Sequence, residues 1–127
     1  MFSVNVFSQT ITKESVEGKW IVLSIEKAPD MPQFKQLLDG FKEAVFLFKK
    51  EGSFRIETKN NSPLFSMMVE ETNKSKWILG DLNQIQIGSK KNKFTIMHIN
   101  VKVIKGETFF DLGEDTRLPL ILKVKKD

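Results

Sequence analysis

The single histidine, His98, is the first residue to weigh as a catalytic group. A serine nucleophile would need such a base together with an orienting acid, and no serine lies in a suggestive position beside His98. The alternation of residues 94–104 instead places His98 on one strand face with Asn100 and Lys102. This pattern is typical of a surface or partly buried structural histidine, so we predict that the protein is not an enzyme.

The sequence also has few residues that could form a metal site or a phosphate-binding loop. The chain has no cysteine and no second histidine, so a metal site would need carboxylates alone, and the spacing of the acidic residues does not suggest one. The glycines at Gly80, Gly88 and Gly106 are isolated turn residues and do not form a glycine-rich phosphate loop. We therefore predict no metal, no cofactor and no disulfide.

Length and composition describe one ordinary globular domain. A hydrophobic content of 40% and a charged content of 28% exclude a disordered chain and a membrane span. The net charge of +4 comes from 18 lysines and only 2 arginines, set against 16 acids and scattered from end to end. Because nucleic-acid sites usually combine clustered arginines with exposed aromatic side chains, we predict no nucleic-acid partner. We expect a monomer or a weak dimer.

The first nine residues are uncharged and mostly apolar, and two interpretations fit them. Small residues at Val6 and Ser8 would suit signal-peptidase cleavage before Gln9, which would make residues 1–9 the remnant of a signal peptide and the protein periplasmic or secreted. Alternatively, residues 1–9 form an N-terminal strand in a cytoplasmic protein.

Residues 10–127 form the predicted domain, which is a succession of short strands separated by turns. We predict an all-β fold, an up-and-down antiparallel barrel of about eight to nine strands, because short meander turns favour it over a Greek-key sandwich. The predicted strands are Val16–Glu26, Val45–Phe48, Ser53–Thr58, Leu64–Glu70, Lys76–Leu79, Gln84–Ile87, Phe94–Ile104, Glu107–Leu112 and Leu118–Lys125.

One short amphipathic helix is predicted after the first strand. Asp30 is a candidate N-cap, and Gly40 lies where a glycine would end the helix. The apolar residues Met31, Phe34 and Leu38 fall on one stripe at helical spacing. The rest of the chain shows no second helix pattern.

The start of the first strand, Gly18-Lys19-Trp20, resembles the Gly-x-Trp signature of the lipocalin family. The order that follows resembles small bacterial lipocalin-like domains: a hairpin from Phe48 to Phe54, then Lys76–Leu79, then Gln84–Ile87. The resemblance implies that Gly18 lets the chain bend inwards and that Trp20 seals one end of the barrel. It also implies a cation stacked on the indole, for which the candidates are Arg117, Lys123 and Lys125. The Thr-Asp-Tyr motif and the helix after the last strand of full-length secreted lipocalins are missing.

Eleven phenylalanines and five methionines suggest a binding function for a small hydrophobic molecule inside the barrel. The helix inserted after the first strand would lie across the mouth of the barrel or plug it. The residues predicted to line the cavity are Phe46, Phe48, Phe54, Ile56, Met68, Leu79 and Phe110.

The alternative is a protein-interaction or structural module whose core is filled and takes no small-molecule ligand. An eight-stranded barrel is narrow enough for its own side chains to fill it. In this interpretation Met67, Met68 and Val69, within an apolar strand, would offer an open edge to a partner strand.

Overall fold

The computed structural model describes residues 11–59, 62–116 and 119–127, and within them eight strands form one antiparallel sheet. The strands are β1 Gly18–Lys27, β2 Val45–Phe48, β3 Phe54–Glu57, β4 Lys76–Leu79, β5 Gln84–Gly88, β6 Met97–Ile104, β7 Glu107–Asp111 and β8 Ile121–Lys126. The α-helices are α1 Lys13–Val16, α2 Lys35–Lys42, α3 Pro63–Thr72 and α4 Gly113–Thr116. Residues 1–9, for which the sequence allows either a signal remnant or a strand, lie outside the described residues. No helix in the described ranges is long and apolar enough to span a membrane.

The sheet curls into a nearly closed up-and-down barrel. Strands that follow one another in the chain pair side by side from β1 to β3 and from β4 to β8, and β1 also pairs with β8. This topology confirms the predicted all-β antiparallel barrel with a helix inserted after the first strand.

The seam between β3 and β4 is closed by a few contacts instead of a full strand pair. One bridge joins Ser53 to Lys76. Further along β3, the side-chain amide of Asn73 takes the place of a neighbouring strand: its Oδ1 accepts from Ile56 N at 2.8 Å, and its Nδ2 donates to Ile56 O at 3.3 Å. The backbone of β3 is therefore satisfied where β4 does not reach it.

The predicted strand Leu64–Glu70 is wrong, because these residues belong to α3. The helix begins after Ser62, whose hydroxyl accepts from Phe65 N at 3.1 Å. Phe65, Val69 and Thr72 are buried at spacings of four and three, which is the pattern of one helix face. A short apolar run such as Met67, Met68 and Val69 does not distinguish strand from helix, and these residues form no sheet edge for a partner strand.

The helix after β1 is present, although its ends differ from the prediction. A 3₁₀ turn at Pro32–Phe34 precedes α2, and Met31 is the N-cap residue of this turn. Asp30 therefore does not cap the helix. Gly40 lies inside α2 rather than at its end. A Cβ placed on Gly40 would come within 2.2 Å of the Phe65 ring, so the glycine allows α2 and α3 to pack closely.

The two apolar faces of β1 have a simple structural cause. Trp20 and Val22 face the interior, and an irregularity in the pairing with β8 follows Val22. Beyond it Leu23 is 52% exposed, whereas Ile25 packs against the core. The inward face therefore changes parity within the strand, as a β-bulge requires.

Candidate functional site

A cavity opens at the end of the barrel where β1 begins. Its volume is about 530 Å³, within the range of small-molecule sites. Its walls come from β1, β5, β6 and β7 together with the segment around α1. Among the described residues the lining consists of Ile11, Ser15, Val16, Trp20, Ile85, Val101, Val103, Gly106, Thr108 and Phe110.

The cavity exists because the inward positions of β6 and β7 here carry short side chains. On β6 the inward residues are Val101 and Val103, and on β7 the inward Thr108 precedes Phe110. Elsewhere in the interior, β2 carries Phe46 and Phe48 at its inward positions, and β3 carries Phe54. Short side chains on one side of the barrel leave space that the rings on the other side do not reach.

Phe110 separates the cavity from the densely packed part of the core. Its ring centroid lies 5.5 Å from that of Trp20 on the cavity side. On the other side it lies 5.4 Å from Phe46 and 6.1 Å from Phe48. We call Phe41, Phe46, Phe48, Phe54 and Phe65 the phenylalanine cluster; each of them is at most 1% exposed.

The segment from Ile11 to Val16 covers the cavity. Ile11 N donates to Asn83 Oδ1 at 3.0 Å, which ties the start of the segment to the β4–β5 turn. Thr12 and Ser15 then form a capping box at the two ends of the first turn of α1. At the other end, Trp20 Nε1 donates to Val16 O at 2.8 Å. Polar contacts therefore fix both ends of the cover.

A lysine stands at the rim of this cover. Lys126 pairs with Trp20 across β1 and β8, and its Nζ lies 5.8 Å from the indole centroid. The same Nζ donates to Ser15 O at 3.0 Å and to Glu14 O at 3.3 Å. The ammonium thus binds carbonyls at the C-terminal end of α1, where a positive charge is favourable.

Among the described residues, the cation over the indole is therefore Lys126, and the predicted candidates Lys123 and Lys125 are wrong. Strand alternation turns Lys126 inwards and its neighbour Lys125 outwards. Lys123 donates a hydrogen bond to the Glu107 carboxylate, and this bond raises the pKa of the Lys123 ammonium above its ordinary value. Arg117 lies outside the described residues.

Gly18 and Trp20 lie at the end of the barrel that α1 covers. Gly18 has φ of +127°, and a Cβ there would come within 2.9 Å of Lys126 Cε. Trp20 is half-buried, and its ring forms part of the cavity wall. The element that covers this end is α1, whereas α2 packs on the phenylalanine cluster through Phe41.

The seven residues predicted to line a cavity are mostly core residues of the other side. Phe46, Phe48, Phe54 and Ile56 are at most 2% exposed and pack together, and Met68 and Leu79 are half-buried against that core. Of the seven, Phe110 alone lines the cavity beneath α1. Sequence reasoning missed the cover and Lys126, although the alternation of Leu122, Val124 and Lys126 in the last strand carries a signal for the lysine.

His98 lies on the outer face of the sheet, away from the cavity. Its side chain is 17% exposed, and its Nδ1 lies 3.7 Å from Glu114 Oε2 on α4. Glu114 also accepts from Gln84 Nε2 at 3.1 Å and from Asn100 Nδ2 at 3.3 Å. The histidine is thus part of a polar network that holds α4 on β5 and β6, which agrees with a partly buried structural histidine.

Comparison of the chain with protein-family models, with curated proteins and with solved structures gives no significant match.

Proposed function

We propose that this protein is a non-enzymatic, lipocalin-like barrel that binds a small hydrophobic molecule in the cavity beneath α1. The observation that carries the proposal is the cavity itself: about 530 Å³ within the barrel, with walls that are predominantly aliphatic and aromatic. Binding pockets for small molecules combine such walls with a few polar groups. The hydroxyls of Ser15 and Thr108 are the side-chain polar groups of this lining.

Two further features support this function over a barrel whose core is filled. The phenylalanine cluster already supplies a dense core, so the open volume beside it is not needed for folding. The cover is a single turn of helix. Its hydrogen bonds to the barrel come from Asn83 and Trp20 at its two ends and from Lys126 between them. A short cover of this kind can move aside for a ligand without disturbing the strands.

The lipocalin-like assignment rests on three features of the same end. Gly18 and Trp20 stand at the start of β1, β1 pairs with β8, and a cation from the last strand lies over the indole. The resemblance implied this combination of glycine, tryptophan and cation. Lys126 supplies the cation here.

The test is to fill the cavity and measure the loss of binding. N-phenyl-1-naphthylamine, a neutral apolar probe whose fluorescence rises in apolar surroundings, would be titrated against wild type and Val103→Phe. We expect wild type to bind the probe and Val103→Phe to lose at least about tenfold in affinity, because the new ring occupies the ligand volume.

The matched control is Ile78→Phe, which places the same ring on the outward face of β4, where Ile78 is 39% exposed. This variant should bind the probe as wild type does. Equal binding by wild type and Val103→Phe would contradict the proposed site. Absence of binding by wild type to this probe and to a panel of apolar small molecules would contradict the function.

A further inference from the structure

We infer that Lys126 is a specificity-determining residue that selects, among apolar molecules, those carrying one negatively charged group. This inference rests on the proposed function, because it concerns what the cavity beneath α1 admits. It begins from the strand pattern. On β8 the inward residues Leu122 and Val124 are buried in the core, and the next inward position is Lys126. The apolar interior therefore ends in a single ammonium group.

The Lys126 side chain is exposed beside the cavity, next to residues that line it, and its ammonium retains a hydrogen to donate. Two of its contacts, Ser15 and Trp20, belong to residues that line the cavity. A lysine ammonium has three N–H donors. Two of them go to the carbonyls of Glu14 and Ser15, and no further hydrogen-bond acceptor for Lys126 occurs among the described residues.

The charge of Lys126 is not neutralised by an acidic side chain in the described part of the chain. Other lysines around this end have ion pairs of their own: Lys19 with Asp127, and Lys123 with Glu107. Lys126 instead binds two neutral carbonyls. A carboxylate at the rim would therefore form a charge-assisted hydrogen bond with Lys126 without breaking an existing ion pair.

The remaining polar group of the wall fits the same kind of ligand. Thr108 lines the cavity from β7, and its hydroxyl has no hydrogen-bond partner among the described residues. The other inward positions nearby are Val101, Val103 and Phe110, which can contact only an apolar body. Among the described residues, the cavity thus offers an apolar wall with one hydroxyl that has no hydrogen-bond partner, the hydroxyl of Thr108, and one cation beside it.

The experiment compares two ligands that share a chain and differ in charge. Dodecanoate and 1-dodecanol, each below its aggregation limit at pH 8, would be titrated into the full chain with displacement of N-phenyl-1-naphthylamine as the readout. We expect dodecanoate to bind about tenfold more tightly than 1-dodecanol in wild type, which is the magnitude of one hydrogen bond to a charged group.

The variants test whether Lys126 causes the preference for dodecanoate. Lys126→Met should bind both ligands with the affinity that wild type has for 1-dodecanol. Lys126→Arg should keep the preference for dodecanoate. The matched control, Lys125→Met, removes the neighbouring exposed and outward-facing charge and should behave as wild type. A preference lost equally in Lys125→Met would show that general surface charge is responsible, and this would overturn the inference.

The outcomes separate the inference from the proposed function. Equal affinity of wild type for the two ligands would overturn the role of Lys126 and leave the cavity as a binding site. Binding of neither ligand, with no binding of the probe, would overturn both. If Lys126→Met does not fold, Lys126→Gln takes its place, because it removes the charge and keeps a polar side chain. Retention of the preference for dodecanoate in this variant would overturn the inference.

Discussion

The two sides of the barrel interior differ in what their inward side chains do. On the side of β2, β3, α2 and α3, the phenylalanine cluster fills the space with rings whose centroids lie 5.1 to 6.4 Å apart. On the side of β6, β7 and α1, valines and a threonine surround a cavity of about 530 Å³. One set of strands therefore carries a stabilising core and the proposed ligand site side by side, with Phe110 between them.

The phenylalanine cluster and the cavity should contribute differently to the stability of the fold. Each buried phenylalanine contributes to stability through its removal from water and its ring contacts, whereas an open cavity contributes neither. We expect the phenylalanine cluster to determine the free energy of unfolding and the cavity lining to determine binding. Substitutions on the two sides should therefore have separate effects.

The largest effect on stability should come from Phe46→Ala. Phe46 is fully buried and its ring neighbours Phe41, Phe54 and Phe110 surround it, so its loss leaves a cavity that these rings cannot fill. We expect a loss of about 3–5 kcal/mol in the free energy of unfolding, measured by urea denaturation. The comparison variant Val103→Ala should lose only about 1 kcal/mol, because this half-buried residue already borders open space. Equal losses in the two variants would show that the two sides are packed alike.

The next effect is the response to added volume. Ala44 is fully buried beside Phe41 and accepts a hydrogen bond from Val22 N at its carbonyl, so Ala44→Leu must displace packed neighbours. We expect Ala44→Leu to cost about 2–3 kcal/mol, and Val103→Leu to cost nothing or to stabilise slightly. Chemical denaturation of both variants would measure this difference. A cost above about 2 kcal/mol for Val103→Leu would mean that the cavity does not accommodate an added methylene.

The sequence predicts the positions of most strands and which of their residues face inwards. It does not predict which side of the interior is filled and which is open, for a physical reason. The strands are marked by alternation and by turns, which is why Lys76–Leu79 and Val45–Phe48 were predicted with their observed bounds. Alternation also shows that Phe48 and Val103 both face inwards. It does not show at what height each side chain lies in the barrel, because that depends on the register of paired strands, such as Trp20 opposite Lys126. Whether inward residues meet or leave a cavity is therefore decided by contacts distant in the sequence.

The helices, too, depend on contacts between residues that are distant in the sequence. The sequence predicts a strand at Leu64–Glu70 because the apolar run there has no distinctive period. The helical state of these residues depends on the packing of Phe65 against Phe41 and Gly40. Asn73, which follows this helix, falls between two predicted strands in the sequence. Its role at the open edge of β3 follows from an approach between residues 17 positions apart.

A smaller loss of stability is expected at the edge of β3 that Asn73 closes. Asn73→Ala would leave the N–H and the C=O of Ile56 without their partner, on the side of the barrel that holds the phenylalanine cluster. Because Asn73 is half-buried and water can partly replace it, we expect a loss of about 1–2 kcal/mol, with faster hydrogen exchange of the Ile56 amide. Binding of N-phenyl-1-naphthylamine should be unchanged. Reduced binding in a stably folded Asn73→Ala would indicate that the two sides are coupled.

The smallest effect should arise in the turn that holds the cover of the cavity. Leu82 is 96% exposed and has φ of +55°, a backbone region that a leucine side chain disfavours and asparagine tolerates. Leu82→Asn should therefore raise the free energy of unfolding by about 0.5–1 kcal/mol, measured by thermal and urea denaturation. The neighbouring Asn83, whose Oδ1 accepts from Ile11 N, would keep its position, so affinity for the probe should not change. An unchanged or lower stability would show that the left-handed backbone at residue 82 costs nothing, whereas a change in affinity would show that this turn controls the cover as well as supporting it.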